Sequence, residues 1–433
     1  MKNYFCALLL VIASSSSYGF QDSQALRPNI ILIMADDLGF ETLGVNGSDS
    51  YQTPYLDSLA AGGMNFSQCY SMPLCTPSRV QLMTGKYNFR NYIGFGLLDP
   101  EEKTFGDYLT EAEYKTFVAG KWQLLGNEHQ RNLAGGRVGS HPLEAGFEDY
   151  CLWQVDELGS RYKDPLLSNP NGNQVYEGEY GPDIITESIL EFIEDNQSDP
   201  FFVYYPMVLT HDPFVPSPSN ASFSDFDASS KVNDPIYFAE MVEYMDLLVG
   251  KIWTKVEELG MAENTLIVFI GDNGTDRKVL SMQNGMEIQG DKGHPTAAGT
   301  HVPMLAYWKG RIASGSTNDH LIDFADFMPT LWDLAGIEEV DRGFTDGISF
   351  YSQLLGKESL SREWIYCDYD PRWGKHQPSR HIQNKEWKLY DDGRIFNIQN
   401  DPFERKELSL AEISDFGLRR INSFKDILHN IGK

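Results

Sequence analysis

In this chain several polar residues stand directly behind short apolar runs. Asp36 and Asp37 follow 29–35, Gly120-Lys121-Trp122 follows 116–119, His211 lies just past 201–209, and Asp272-Asn273 lies just past 265–270. Aspartate and asparagine side chains offer oxygen ligands, which suit a hard divalent cation, calcium first and magnesium as the alternative. Clustered carboxylates repel one another unless a cation lies among them. Taken singly, an Asp-Asp pair or an Asp-Asn-Gly run is ordinarily a turn or a helix cap. Their common placement, each behind a run that reads as a buried strand, makes Asp36, Asp37, Asp272 and Asn273 candidate metal ligands.

A second constellation lies between the first two runs: Cys75-Thr76-Pro77-Ser78-Arg79-Val80-Gln81-Leu82-Met83-Thr84-Gly85. Pro77 suits the first turn of a helix and Gly85 is a natural stop, so Cys75 falls at a helix N-terminus. Free amides and the helix dipole favour negative charge there, on a nucleophile or on a bound anion. On residue type and placement alone Cys75 reads as a reactive thiol.

The elements that must position these groups are legible in outline. The four runs are rich in aliphatic, β-branched or aromatic residues, as strands buried on both faces of a parallel sheet are. Helical patterns at 53–62, 182–195 and 237–259 alternate with them, which predicts an α/β fold: a large, mostly parallel sheet flanked by helices. Ligands of open α/β sheets bind at the carboxyl ends of the strands, so the polar residues above converge if the four strands are parallel. Beyond about residue 340 the texture changes to short strand patterns at 380–387, 388–391 and 394–398, then a helical pattern at 411–431. This predicts a smaller C-terminal antiparallel sheet and helix, with the chain divided into 20–340 and 341–433.

Cys75-Thr76-Pro77-Ser78-Arg79 followed by Val80-Gln81-Leu82 and Met83-Thr84-Gly85 resembles the maturation signature of type I sulfatases, C-x-P-S-R, three residues, then L/M-T-G. The strand-end motifs resemble that family in the same chain order, so the likeness runs through nearly the whole sequence past the leader. The resemblance implies an alkaline-phosphatase-like fold and oxidation of Cys75 to formylglycine by a maturation enzyme. The aldehyde hydrate, bound to the metal, would be the nucleophile and would form a covalent sulfate intermediate. A second hydroxyl on the same carbon then gives an internal route to expel sulfate, which a serine lacks.

Carried over by position, Asp36, Asp37, Cys75, Asp272 and Asn273 are similar to the metal ligands, and Arg79 to the arginine that holds the hydrate. Lys121 matches the lysine of G-K-W-H, His211 the histidine of H-x-P-F, and Lys292 the lysine of a late K-G element; His211 and Lys292 are the groups for the leaving alkoxide. The chain departs from the pattern at Gln123, where the family has histidine. An amide cannot exchange a proton near neutral pH, and His129 or His294 is the stand-in to look for. Asp401-Pro402-Phe403-Glu404 also resembles the family. Arg372, Trp373 and His376 are candidate contacts to a sulfated carbohydrate or small molecule. A phosphate or phosphonate ester hydrolase of the same superfamily, or a catalytically impaired carbohydrate-binding relative, are the alternatives.

Composition sets bounds on this reading. At 433 residues with 41% hydrophobic and 22% charged residues, the chain supports a large buried core. A net charge of −27 argues against nucleic acid, whose phosphates demand clustered lysine and arginine; an anionic substrate requires cations concentrated locally. Residues 1–19 read as a signal peptide, with Lys2 ahead of a short apolar run and small residues near Gly19, so export to a periplasm or to the exterior is expected, without a membrane span. Of Cys69, Cys75, Cys151 and Cys367, at most one disulfide can form if Cys75 is converted.

Overall fold

A computed structural model of the chain describes residues 27–358 and 360–431; the expected leader at 1–19 lies outside them. Among the described residues, seventeen strands form three sheets. In the large sheet are β1 (Asn29–Ala35), β2 (Met64–Tyr70), β3 (Lys115–Lys121), β4 (Asp149–Trp153), β5 (Leu166–Asn169), β6 (Gly172–Val175), β7 (Phe201–Pro206) and β8 (Thr265–Gly271). A hairpin of β9 (Leu280–Gln283) and β10 (Met286–Gln289) stands apart, while β11 (His301–Tyr307), β12 (Ser316–Asn318) and β13 (Ile322–Asp323) rejoin the large sheet. The strand order is β12-β2-β11-β8-β1-β7-β3-β4-β5-β6, with β13 also on β2. The centre, β8-β1-β7-β3-β4, is wholly parallel. Antiparallel pairing is confined to β11 and to the β4-β5-β6 margin.

All seven residues of β1 are buried, which is why it reads as an unbroken apolar run. Its side chains alternate between two cores. Ile30, Leu32 and Met34 pack with Val80, Leu82 and Met83 of the helix Cys75–Thr84. Ile31, Ile33 and Ala35 pack on the other face with the helices Pro54–Gly62, Gly181–Asp195 and Phe238–Glu258. Each buried Ile or Leu side chain contributes about 2 kcal/mol, and the period of two places helices on both sides of the sheet. Among the described residues no helix is long and apolar enough to cross a membrane.

The third sheet is antiparallel, β14 (Ile365–Tyr369), β15 (Ser379–Gln383), β16 (Trp387–Tyr390) and β17 (Ile395–Asn397), and the helix Asp415–Asn430 packs on it through Ile421 and Phe424. Two expectations need correction. The pattern at 380–387 is not one strand: Asn384 turns the chain, its Oδ1 accepting from Trp387 N at 2.7 Å. The run 201–209 ends as a strand at Pro206, although Leu209 and Thr210 still exchange backbone bonds with Asp36. The four described cysteines are all unpaired.

Candidate active site

Because β8, β1, β7 and β3 are parallel neighbours, their carboxyl ends lie side by side, about 4.8 Å apart. Asp36, Asp37, Asp272 and Asn273 are completely buried at that edge. Lys121 Nζ donates to both oxygens of Asp36 at 2.8 and 3.1 Å. Lys292 Nζ donates to Asp37 Oδ2 at 2.5 Å, and Asn273 Nδ2 to Asp37 Oδ1 at 2.9 Å. Asp37 takes a left-handed backbone, φ 62°, and its own N–H reaches Asp272 Oδ1 at 3.0 Å.

The helix Cys75–Thr84 supplies two groups. Pro77 lies in its first turn and Gly85 caps it in the left-handed region, φ 67°. Arg79 donates Nε and a terminal nitrogen to Asp272 Oδ2, at 3.3 and 3.1 Å, and its other terminal nitrogen to the Lys121 carbonyl at 2.9 Å. Cys75 Sγ and carboxylate oxygens of Asp36 and Asp272 lie within 4.8 Å of one another, as do ligand atoms of Asp36, Asp37 and His211. Since Sγ marks where a modified side chain would carry its oxygens, the sequence-derived ligand set is brought to one place.

The residues fit a cation. Burial, and then the Asp36 charge, push the Asp272 carboxyl up to about 7. Burial acts the same way on Asp36, but Lys121, His211 and Arg79 outweigh it and hold that carboxyl well below its usual range. Burial works against the Lys292 ammonium, which Asp37 nevertheless raises above its ordinary value. The Asn273 Oδ1 atom is buried with no hydrogen-bond partner, an orphan that a hard cation satisfies. Three carboxylates balance Arg79, Lys121 and Lys292, so a divalent ion leaves the floor net positive, as an anionic ester requires.

Above this floor opens a cleft of about 470 Å³, lined by Cys75, Gln123, His211, Lys292, Trp373 and His376 among others. Gln123 Oε1 lies 3.9 Å from Cys75 Sγ. His211 donates Nδ1–H to the Asp212 carbonyl at 2.6 Å, which turns Nε2 toward Asp37, 3.8 Å away. Burial, and then His294, lower the pKa of His376. Neither proposed stand-in histidine lines the cleft: His129 packs on the edge of Trp373, ring centroids 5.6 Å apart, and His294 pairs with Asp291 at 3.0 Å. Arg372 is likewise outside it, in an adjoining cavity.

Sequence reasoning missed Phe95, Asp276, Arg277 and Lys278, which also line the cleft. A signal existed for the last two. They stand just behind Asp272-Asn273-Gly274 in the loop after β8, where a basic pair in a strongly acidic chain is conspicuous. Lys278 Nζ reaches Asp212 Oδ2 at 2.9 Å, which ties that loop to the one carrying His211.

Comparison with known proteins agrees with this geometry. The sulfatase family profile matches residues 28–337, and that of the N-sulphoglucosamine sulphohydrolase C-terminal region matches residues 291–415. The N-acetylgalactosamine-6-sulfatase of Canis lupus familiaris is 29% identical over 480 residues, covering 93% of this chain and 85% of that protein. A structure described for the metabolism of multiple glycosaminoglycans by Bacteroides thetaiotaomicron superposes with a TM-score of 0.75 at 21% identity, covering 94% of this chain and 99% of that one. The phosphonate monoester hydrolase of Agrobacterium radiobacter shares the fold, with a TM-score of 0.67, 18% identity and coverage of 93% and 95%.

Proposed function

The chain belongs to the sulfatase family and is a sulfuric ester hydrolase, and we propose that it acts on a sulfated carbohydrate through a formylglycine made from Cys75 by a maturation enzyme. The observation that carries this reading is Cys75 at a buried helix N-terminus, within ligand distance of Asp36 and Asp272. Support for a carbohydrate comes from the N-acetylgalactosamine-6-sulfatase relative and from a cleft that joins aromatic Trp373 to cationic Lys292, Lys278 and Arg277. In this assignment residues 1–19 direct export to a periplasm or the exterior, 20–340 carry the catalytic portion and 341–433 its companion.

Asp36, Asp37, Asp272 and Asn273, with the modified Cys75, would hold a divalent ion, calcium or magnesium. When bound, such an ion would supply Lewis acidity, and formylglycine would supply the nucleophilic hydroxyl. Arg79, buried against Asp272, fixes the N-terminal turn of its helix and so the reacting carbon. Lys121 and Lys292 neutralise charge developing on the sulfuryl oxygens, an effect strengthened because Lys121 is 1% exposed. His211 and Lys292 serve the departing alkoxide, the ring being oriented by its bond to the Asp212 carbonyl.

Phosphate and phosphonate ester hydrolysis is the competing reading, since the phosphonate hydrolase shares the fold. Paired turnover of p-nitrophenyl sulfate and p-nitrophenyl phosphate separates the two. A monoanionic sulfate needs fewer compensating cations than a phosphate dianion, so sulfate is expected to be preferred on the order of a hundredfold in kcat/KM. A preference for phosphate sinks the assignment.

A further inference from the structure

The cleft above Cys75 has a neighbour. A second cavity of about 380 Å³ is lined by Ile93, Phe95, Leu133, Ala134, Arg137 and Arg372. Phe95 lines both cavities, and its ring stacks on Trp373 of the first cleft, with centroids 4.5 Å apart and planes 13° from parallel. Arg372, one residue before Trp373, takes a left-handed backbone, φ 50°, and lines the second cavity while Trp373 lines the first. The Phe95-Trp373 pair is therefore a wall shared by two adjoining cavities.

One of the two charges in the second cavity has no partner within the fold, among the described residues. Arg137 is exposed and makes no ion pair or side-chain hydrogen bond among the described residues. Arg372 donates Nε to Asp370 at 3.1 Å, with no bond from its terminal nitrogens among the described residues. Two guanidinium groups share one small cavity although the chain carries 62 acidic residues against 35 basic ones. Both side chains are open to solvent, where a charged ligand can reach them, and the guanidinium fork matches the oxygens of sulfate or carboxylate. Ile93, Leu133 and Ala134 supply an apolar wall of the kind a pyranose face packs on.

We propose that the second cavity is a subsite for an anionic group, sulfate or carboxylate, on the sugar next to the one whose sulfate is cleaved. The enzyme then selects oligosaccharides with charged neighbouring residues, and Arg137 and Arg372 set that selectivity. This rests on the sulfatase reading and adds a residue pair that the reaction itself does not need.

The test is calorimetric titration of Cys75→Ser protein, which cannot turn ligand over. One ligand is a chondroitin 6-sulfate tetrasaccharide, whose second anion is a carboxylate. The other is a carrageenan tetrasaccharide with sulfate on adjacent sugars. The tighter of the two identifies the source of the anion. Adding Arg137→Gln is expected to weaken it about tenfold, as for one charge-assisted hydrogen bond at a partly exposed site, and adding Arg372→Gln to weaken it similarly. In the Cys75 enzyme, Arg137→Gln is expected to leave kcat/KM for p-nitrophenyl sulfate within about twofold, since that ester reaches only the first cleft. Failure of both tetrasaccharides to bind, equal affinity in parent and variants, or an equal loss on p-nitrophenyl sulfate overturns the subsite. Absence of p-nitrophenyl sulfate turnover in the unmutated enzyme counts instead against the sulfatase reading.

Discussion

Cys75 and Gln123 meet at 3.9 Å, and that contact holds the main chemical difference between this chain and the motif it resembles. The Gln123 amide can accept and donate hydrogen bonds but moves no proton near neutral pH. Its backbone lies in the left-handed region, φ 53°, which histidine tolerates better than most residues. Gln123→His is expected to raise kcat about tenfold by adding a proton-transfer group. It should also introduce a limb in the kcat-pH profile near the ordinary imidazole pKa, about 6.5. A variant with unchanged kcat and no new limb would show that the amide is no handicap. Gln123 was legible because it interrupts a contiguous motif, as were Arg79 and Lys121 within theirs. Phe95 was not, because nothing around it in sequence marks a cleft wall; it becomes one only by stacking on Trp373, far along the chain.

The segment that bears Lys292 is held from below by the small C-terminal sheet. Tyr369, at the end of β14, donates its hydroxyl to the Gly293 carbonyl at 3.1 Å. Lys388 of β16 donates to the Pro295 carbonyl and to Glu404 Oε1, the latter at 2.7 Å, and Tyr390 donates to Glu404 Oε2 at 2.5 Å. Tyr369→Phe removes one neutral hydrogen bond, about 1 kcal/mol of stability. If that bond positions Lys292, kcat should fall about threefold to tenfold with KM little changed. A lowered melting temperature with unchanged kcat would make Tyr369 merely structural. The strand pattern at 388–391 and Glu404 were read from the sequence, but β14 was not: it has no clear period, and three of its five residues, Tyr366, Asp368 and Tyr369, are polar or half-polar. The same holds for β2, whose Asn65, Ser67 and Gln68 dilute its apolar pattern, and for β11, which carries Pro303; both are strands through non-local pairing. The four central strands were legible because burial on both faces writes a continuous apolar run.

Across the whole molecule, an acidic chain of net charge −27 must present an anionic ester with a locally positive floor. Arg79, Lys121 and Lys292 do so only if the three buried aspartates are also satisfied, and those aspartates lie just past the carboxyl ends of adjacent strands, β1 and β8. A divalent ion bound there would therefore tie the centre of the sheet together as well as serve the proposed catalysis. Chelation is expected to remove activity and to lower the melting temperature. The lost stability is about 4 kcal/mol if the ion stands near a thousandfold above its dissociation constant. Calcium or magnesium, whichever is the native ion, should restore both. Loss of activity without any change in melting would show that the strand ends are stable without a cation.

The chemical identity of residue 75 decides which nucleophile the site holds. Peptide mass spectrometry of the segment containing Cys75, from protein exported by a host able to oxidise such cysteines, addresses it directly. A side chain about 18 Da lighter than cysteine, the difference between aldehyde and thiol, in step with sulfatase activity is the predicted result. An unmodified thiol in a preparation that cleaves sulfate at full rate would contradict it.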